Sequence, residues 1–220
     1  DSTYWSGDLV GLQIQADNVV GSASWSAAAK LDAIKDSKIS ERPIFTVKNV
    51  DKQAVLTQGV DFTWGQHSKT QQRQLGDEDT LNYLRGERSK ELTAAQPNGV
   101  FRERGSRLGD IVNSDPQFVH KQNQGYTRLT RWDNDVAKKY AEFRSSSAYQ
   151  QRIPMVVVGA NDGMLHGFDA RFDSNGGQEL FAFVPNGVYD NLSALADIDY
   201  THRYYVDATP RVADAWLGQR

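Results

Sequence analysis

The 220 residues include 25 basic and 28 acidic side chains, for a net charge of −3, and 39% are hydrophobic, an ordinary, slightly acidic globular composition. That balance argues against a polyanion-binding protein, so no nucleic-acid partner is expected, and the length suffices for one large or two small domains. The chain has no cysteine, hence no disulfide or thiolate metal site, which fits cytoplasm and periplasm alike; no run is long enough to span a membrane and no targeting segment opens the chain.

Strand-like sequence begins at once after Asp1-Ser-Thr-Tyr-Trp5, as in an excised piece. Residues 6–25 align without gaps on residues 162–181: Gly7 falls on Gly163, Leu9 on Leu165, Gly11 on Gly167, Asp17 on Asp173 and Gly21 on Gly177. Leu12 meets Phe168 and Trp25 meets Phe181, so glycines fall at turns and apolar residues on strands, as a repeated hairpin requires. Residues 43–47 read as a further strand of this first unit. Residues 58–96 form a polar insertion with a helical pattern at 77–86, where acids crowd the first turn, Leu81 and Leu84 share a face and Gly86 caps the end.

Residues 111–119 (Ile-Val-Asn-Ser-Asp-Pro-Gln-Phe-Val) resemble residues 205–213 (Tyr-Val-Asp-Ala-Thr-Pro-Arg-Val-Ala), with Pro116 on Pro210 and Val112 on Val206. Each is expected to be the opening strand of a sheet unit. Residues 134–150 carry Val136, Tyr140 and Phe143 at helical spacing, with Asn134 or Asp135 as cap, so an amphipathic helix laid on the sheet is expected.

Pro154 to Pro185 is the best-defined stretch. Residues 155–158 are an apolar run of the kind covered on both faces, Gly159-Ala-Asn-Asp-Gly163 is a tight turn, residues 164–170 return, 173–177 turn again, and 180–184 close the meander with aromatics. Residues 188–196 add a third short helical pattern through Val188, Leu192 and Leu195.

The two proline motifs lie 94 residues apart, about twice a propeller repeat of roughly 40–45 residues. The expected fold is therefore mainly β: a partial β-propeller of quinoprotein-like four-stranded blades with short helical insertions. One propeller-domain fragment covers residues 1–220, with a partial blade over about 1–50, an insertion with a short helix over 51–100, a blade over 101–186 with a helical insertion near 120–152, and the start of the next blade over 187–220. Closed propellers hold roughly 4–8 blades, so the chain reads as a fragment of a larger ring.

The strings Phe101-Arg-Glu-Arg-Gly-Ser-Arg-Leu-Gly-Asp-Ile-Val-Asn-Ser-Asp-Pro116, 154–170, 179–185 and Tyr204-Tyr-Val-Asp-Ala-Thr-Pro210 resemble the propeller domain of the type IV pilus tip-associated adhesin and biogenesis proteins of the PilC/PilY type. Residues 81–88 and 5–9 are similar to segments that precede them there. Residues 108–114 are the most specific part. The resemblance implies a secreted, non-enzymatic protein at the pilus tip, periplasmic in transit. It also implies minor pilins as partners in assembly, opposition to retraction, and contact with host or abiotic surfaces. The family's calcium loop has no match here, so calcium belongs elsewhere in the full-length protein and no cofactor is expected in this segment.

The sequence offers no catalytic, cofactor-binding or metal-binding residue. Asp162, Asp169 and Asp173 sit at hairpin turns, where aspartate is favoured for backbone reasons. His67, His120, His166 and His202 show no ligand spacing, and His166 reads as a hydrogen-bonded sheet position. Asp133-Asn-Asp135 is the nearest approach to a calcium loop and reads better as a helix cap. Arg102, Arg104 and Arg107 read as a solvated or salt-bridged strand edge, and the tryptophans and tyrosines as core. The alternative to the pilus reading is a quinone- and calcium-dependent dehydrogenase propeller, which needs a carboxylate base beside the quinone. The polar insertions at 58–96 and 120–152 are the expected contact surface.

Overall fold

The computed structural model describes residues 4–48 and 58–215. Elements follow in chain order: β1 (Val10–Ile14), β2 (Val20–Ser26), α1 (Ala27–Asp32), β3 (Ile44–Lys48), β4 (Gln58–Asp61), α2 (Lys69–Leu75), α3 (Glu78–Arg85), β5 (Gln117–Val119), α4 (Asn134–Ser145), α5 (Ser147–Gln150), β6 (Met155–Ala160), β7 (Met164–Asp169), β8 (Glu179–Val184) and α6 (Tyr189–Leu192), with 3₁₀ turns between several of them.

The expected meander is present. Strands β5, β6, β7 and β8 run antiparallel in that order, and β6 pairs with β7 without interruption from Met155↔Asp169 to Ala160↔Met164. Gly163 takes φ +91°, the left-handed conformation that the tight turn after β6 demands. Four antiparallel strands in sequence order are one propeller blade. The sheet does not end there: β3 joins β8 in parallel and β4 joins β3, giving the order β4-β3-β8-β7-β6-β5. Residues 43–47 are thus a strand, as expected, but pair with the outer edge of the 155–184 meander rather than with the first hairpin.

That first hairpin, β1–β2, stands as a separate two-stranded sheet and reproduces the repeat in detail. Gly11 pairs with Trp25 and Gly167 with Phe181, and the register slips at the following residue in both, between Gly11 and Leu12 and between Gly167 and Phe168. At each glycine a Cβ would fall inside the aromatic ring opposite, so both positions need glycine for the same reason. A shared bulge and a shared glycine–aromatic contact make the two hairpins equivalent parts of two blades.

The proline motifs behave differently from expectation. Only Gln117–Val119 of the 111–119 stretch forms a strand, and none of the described residues of 204–215 does; Trp216 lies outside the described residues. Equivalent residues of the two copies instead meet each other. The Asn113 amide and side chain donate to Asp207 at 2.9 and 2.5 Å, Ser114 Oγ donates to the Ala208 carbonyl at 3.2 Å, and the Asp115 amide donates to Thr209 Oγ1 at 3.0 Å. Short polar side chains and a proline without an N–H take over the pairing that a backbone ladder would supply.

Two apolar clusters hold the layers. Leu108 lies fully buried between α1, through Ala27 and Leu31, and the blade, through Val158, Ala160 and Phe168. On the other side Phe62, Leu75, Leu81 and Tyr83 pack against Ala182 and Val184. The insertion at 58–96 is therefore part of the core and not a free surface. Its polar composition hid this, because α2 buries only Gln71 and Leu75 and pins itself through a Ser68–Gln71 capping box. Helix α3 ends at Gly86, as expected, and Asp77 is its N-cap, accepting from the Thr80 amide. Helix α4 is capped by Asp133, one residue before the expected caps, whose carboxylate accepts from the Asp135 and Val136 amides.

Candidate interaction surface

Arginines tie the insertions to the blade. Arg104 pairs with Glu91 at 2.6 Å, donates to the carbonyls of Tyr83 and Glu87, and lies 3.8 Å from the Tyr83 ring centroid. Buried Arg107 donates to the carbonyls of Leu31, Asp32 and Gly86 and pairs with Asp36. Arg102 donates to the carbonyls of Leu195 and Tyr4. The cluster at 102–107 is salt-bridged in part, as expected, but it staples separate segments and edges no strand. Sequence gave no hint of Arg85, which is buried and spends its guanidinium on the carbonyls of Phe62, Ser40 and Arg42. Burial and the neighbouring Arg42 charge pull its pKa down.

Inside the blade, β7, β8 and the segment before β3 converge on one ionic row. Arg42 donates twice to Glu179, at 2.8 and 2.7 Å, and its remaining nitrogen reaches the Arg85 carbonyl. His166 Nδ1 donates to Glu179 at 2.9 Å, and its Nε2 faces both Asp162 oxygens at 3.2 and 3.1 Å. Burial alone pulls the imidazole down, but the charges and hydrogen bonds of Asp162 and Glu179 outweigh it and raise the pKa to about 9. Burial pushes Glu179 up, yet Arg42 and His166 hold it well below the usual carboxylate range. His166 is completely buried and both ring nitrogens are occupied, so no substrate could reach it. It is a sheet position, as expected, held as an imidazolium between two carboxylates.

Asp162 does more than the turn role read from sequence. It accepts from the Met164 amide at 3.1 Å, as a turn aspartate does, and also from the Gly109 amide at 2.9 Å and from His166. Asp173 keeps to its turn, accepting from the Asn175 amide, while Asp169 is bound to Arg171. Beside the Asp162 turn, Asp110 accepts from Asn161 Nδ2 and His202 Nε2, each at 2.9 Å, and His202 stacks on Trp5 with centroids 4.0 Å apart. These groups fasten residues 106–115 and 202–208 to the end of β6. Among the described residues no group of three or more histidines, aspartates or glutamates is placed to hold a metal ion.

The exposed chemistry lies in the 120–152 insertion. A 3₁₀ turn at Tyr126–Arg131 puts Tyr126, Leu129 and Trp132 three apart, a spacing that aligns side chains in that geometry. Helix α4 packs beside it, and the two line a cleft of about 400 Å³ with Tyr126, Leu129, Val136, Tyr140, Phe143 and Asp214. Beneath the cleft, Tyr140 donates to Asp214 at 2.9 Å, and Arg152 pairs with Asp214 at 2.9 Å and lies over the fully buried Tyr149 at 4.4 Å. Trp132, which ends the 3₁₀ turn, is 86% exposed, against the expectation that the tryptophans are core. The sequence signal was the 126-129-132 period of three, which a search for a period of 3.6 passes over.

A blade meander, an equivalent half-blade and proline motifs that meet between them describe a propeller, and the family described as the PilY1 β-propeller domain matches residues 108–219. The chain belongs to that family. Among curated relatives, the type IV pilus biogenesis factor PilY1 of Pseudomonas aeruginosa strain PAK is 37% identical over 232 residues, covering 97% of this chain and 18% of the relative. A PilY1 homolog of Xylella fastidiosa strain Temecula1 is 36% identical over 220 residues, covering 98% and 16%. The chain thus spans less than a fifth of the length of the curated relatives it matches. No solved structure matches it. This PilY1-type propeller contains no helix, among the described residues, long and apolar enough to cross a membrane.

Proposed function

We propose that this chain is one propeller-domain fragment of a non-enzymatic, secreted protein of the type IV pilus tip, and that its 120–152 insertion is the surface that meets minor pilins. The observation that carries the reading is the cleft of Tyr126, Leu129 and Tyr140, with Trp132 exposed at the end of the 3₁₀ turn that lines it, on a PilY1-family blade whose buried ionic row offers nothing to a substrate. Exposed aromatics over a fixed base are the composition of protein-binding patches. The protein reaches this site through the periplasm, supports pilus assembly, opposes retraction, and presents the same exposed face to host or abiotic surfaces. It uses no cofactor in this segment, and a calcium site belongs to other parts of the full-length protein. No observation favours the quinone-dependent alternative.

Trp132→Ala and Leu129→Asp in the full-length protein test the reading, because both positions are exposed and their substitution leaves the core intact. Normal protein levels with reduced piliation, and reduced recovery of minor pilins on the purified protein, are expected. Wild-type piliation, adhesion and pilin recovery in both variants would overturn it.

A further inference from the structure

Charge is unevenly spread along the chain. Residues 120–152 hold seven lysines and arginines against three acidic residues, while the other residues hold 18 against 25. Two of the three acids in the insertion are already spent: Asp133 caps α4 through the Asp135 and Val136 amides, and Asp135 pairs with Lys139 at 2.6 Å. Arg152 is spent on Asp214. Among the described residues, Lys121, Arg128, Arg131 and Lys138 are exposed and make no ion pair. The 3₁₀ turn sets this free charge beside apolar groups. Side chains three apart align in that geometry, so Arg128 and Arg131 form one row and Tyr126, Leu129 and Trp132 the row next to it. Through Tyr126 and Leu129 the apolar row opens onto the cleft that Val136 and Phe143 also line.

On the reading of the 120–152 insertion as a contact surface for pilins, we infer that the partner presents an acidic protein segment, which seats one apolar side chain in the cleft and lays its carboxylates along Arg128 and Arg131. Charge complementarity selects the sign: a basic segment would bring like charges onto cations that have no counter-charge of their own, whereas carboxylates supply one and steer the encounter. The shape selects protein over lipid. A concave site of about 400 Å³ takes a side chain, whereas an anionic bilayer is met by an apolar face that projects into it. The exposed Trp132 at the end of the turn adds an aromatic anchor of the kind that protein contacts use. The acidic surplus of the rest of the chain keeps other acidic surfaces away, so the attraction is confined to this one insertion.

Binding of each purified minor pilin to the full-length protein is followed by surface plasmon resonance at about 0.1 M and about 1 M salt, across which the Debye length falls from about 10 Å to about 3 Å. The wild-type on-rate for at least one pilin is expected to fall about tenfold or more over that range. Both arginines are exposed, so charge reversal leaves the fold intact. Arg128→Glu with Arg131→Glu is expected to bind about tenfold or more weakly at the lower salt and to approach the wild type at the higher. Arg128→Lys with Arg131→Lys, which keeps the charge, keeps the salt dependence. Pilin binding that is lost in Leu129→Asp but indifferent to salt and to charge reversal overturns the acidic partner and leaves the contact surface standing. Absence of pilin binding by the wild type at both salts removes the contact surface itself, and the acidic partner with it. Binding to phosphatidylglycerol vesicles, or to a second copy of the protein, that charge reversal abolishes while pilin binding is unchanged overturns the inference in favour of that occupant.

Discussion

Substituting Glu179→Gln removes the centre of the buried ionic row and leaves Arg42 and His166, both buried, with one carboxylate fewer between them. Uncovering a buried charge in this way costs about 3–5 kcal/mol. The side chains of Arg42 and Glu179 are each 3% exposed, so water does not relieve the loss. The row also makes a pH signature. His166 titrates at about 9 in the folded protein against its ordinary value of 6.5, so between those pH values the folded state holds a proton that the unfolded state has lost. Its stabilisation is complete below pH 6.5 and is lost as pH rises through about 9; at about 1.4 kcal/mol per pH unit it amounts to about 3 kcal/mol. Calorimetry of the full-length protein at pH 6 and pH 9 follows the propeller transition. Wild type is expected to lose stability across that interval. In Glu179→Gln the transition at pH 6 falls by roughly 6–20 °C, and the loss from pH 6 to 9 shrinks because the imidazolium has one partner fewer. A wild-type transition independent of pH over this range, or an equal pH slope in the variant, would refute the assignment of His166 as a buried cation.

Leu108 is fully buried between α1 and β6–β7, so Leu108→Ala is expected to cost about 2–5 kcal/mol, read as a lower transition temperature with the 120–152 insertion unchanged. Gly167→Ala places a methyl inside the Phe181 ring and is expected to destabilise by about 1–3 kcal/mol; adding Phe181→Leu should return part of that loss, and no rescue would show that the backbone rather than the ring is at fault. Burial holds the His67 pKa below its ordinary value of 6.5 against the hydrogen bond to the Thr63 carbonyl. The unfolded state therefore takes up the proton first as pH falls below 6.5, and stability drops on the acid side. His67→Gln should flatten the stability profile between about pH 5 and 6.5, where Glu179 is still ionised and His166 still protonated.

What the sequence showed best was what depends on neighbours in the chain. The tight turn at Gly163, the cap at Gly86 and the meander of β6, β7 and β8 follow from period, turn chemistry and glycine placement. The first hairpin was legible only through its echo, because Gly11 and Trp25 mean little until Gly167 and Phe181 are set beside them. What was hidden depends on distant partners. The 58–96 insertion looked like a polar loop because its buried positions are few and widely spaced, and its arginines and glutamines spend their polar atoms on carbonyls far away in sequence. β3 carries strand-forming residues, but nothing local says that it will run parallel to β8. His166 was read as a sheet residue; that its two flanking carboxylates come from a turn and from the next strand is set by pairing register alone.

The pairing of like with like at 113–115 and 207–209 bears on how such a propeller grows. If the proline motif were a strand inside each blade, its two copies would be separated by a whole sheet. They touch instead, residue for residue, and each copy or its flank also packs on an earlier strand region: residues 109–111 crowd Gly7 before β1 and Val206 crowds Gly159 in β6. Ahead of β5 the motif thus joins two distant segments, and its polar side chains do there the work that strand hydrogen bonds do elsewhere. A step built from side chains tolerates long insertions on either side of it, since only Asn113, Ser114, Asp115 and their counterparts must meet.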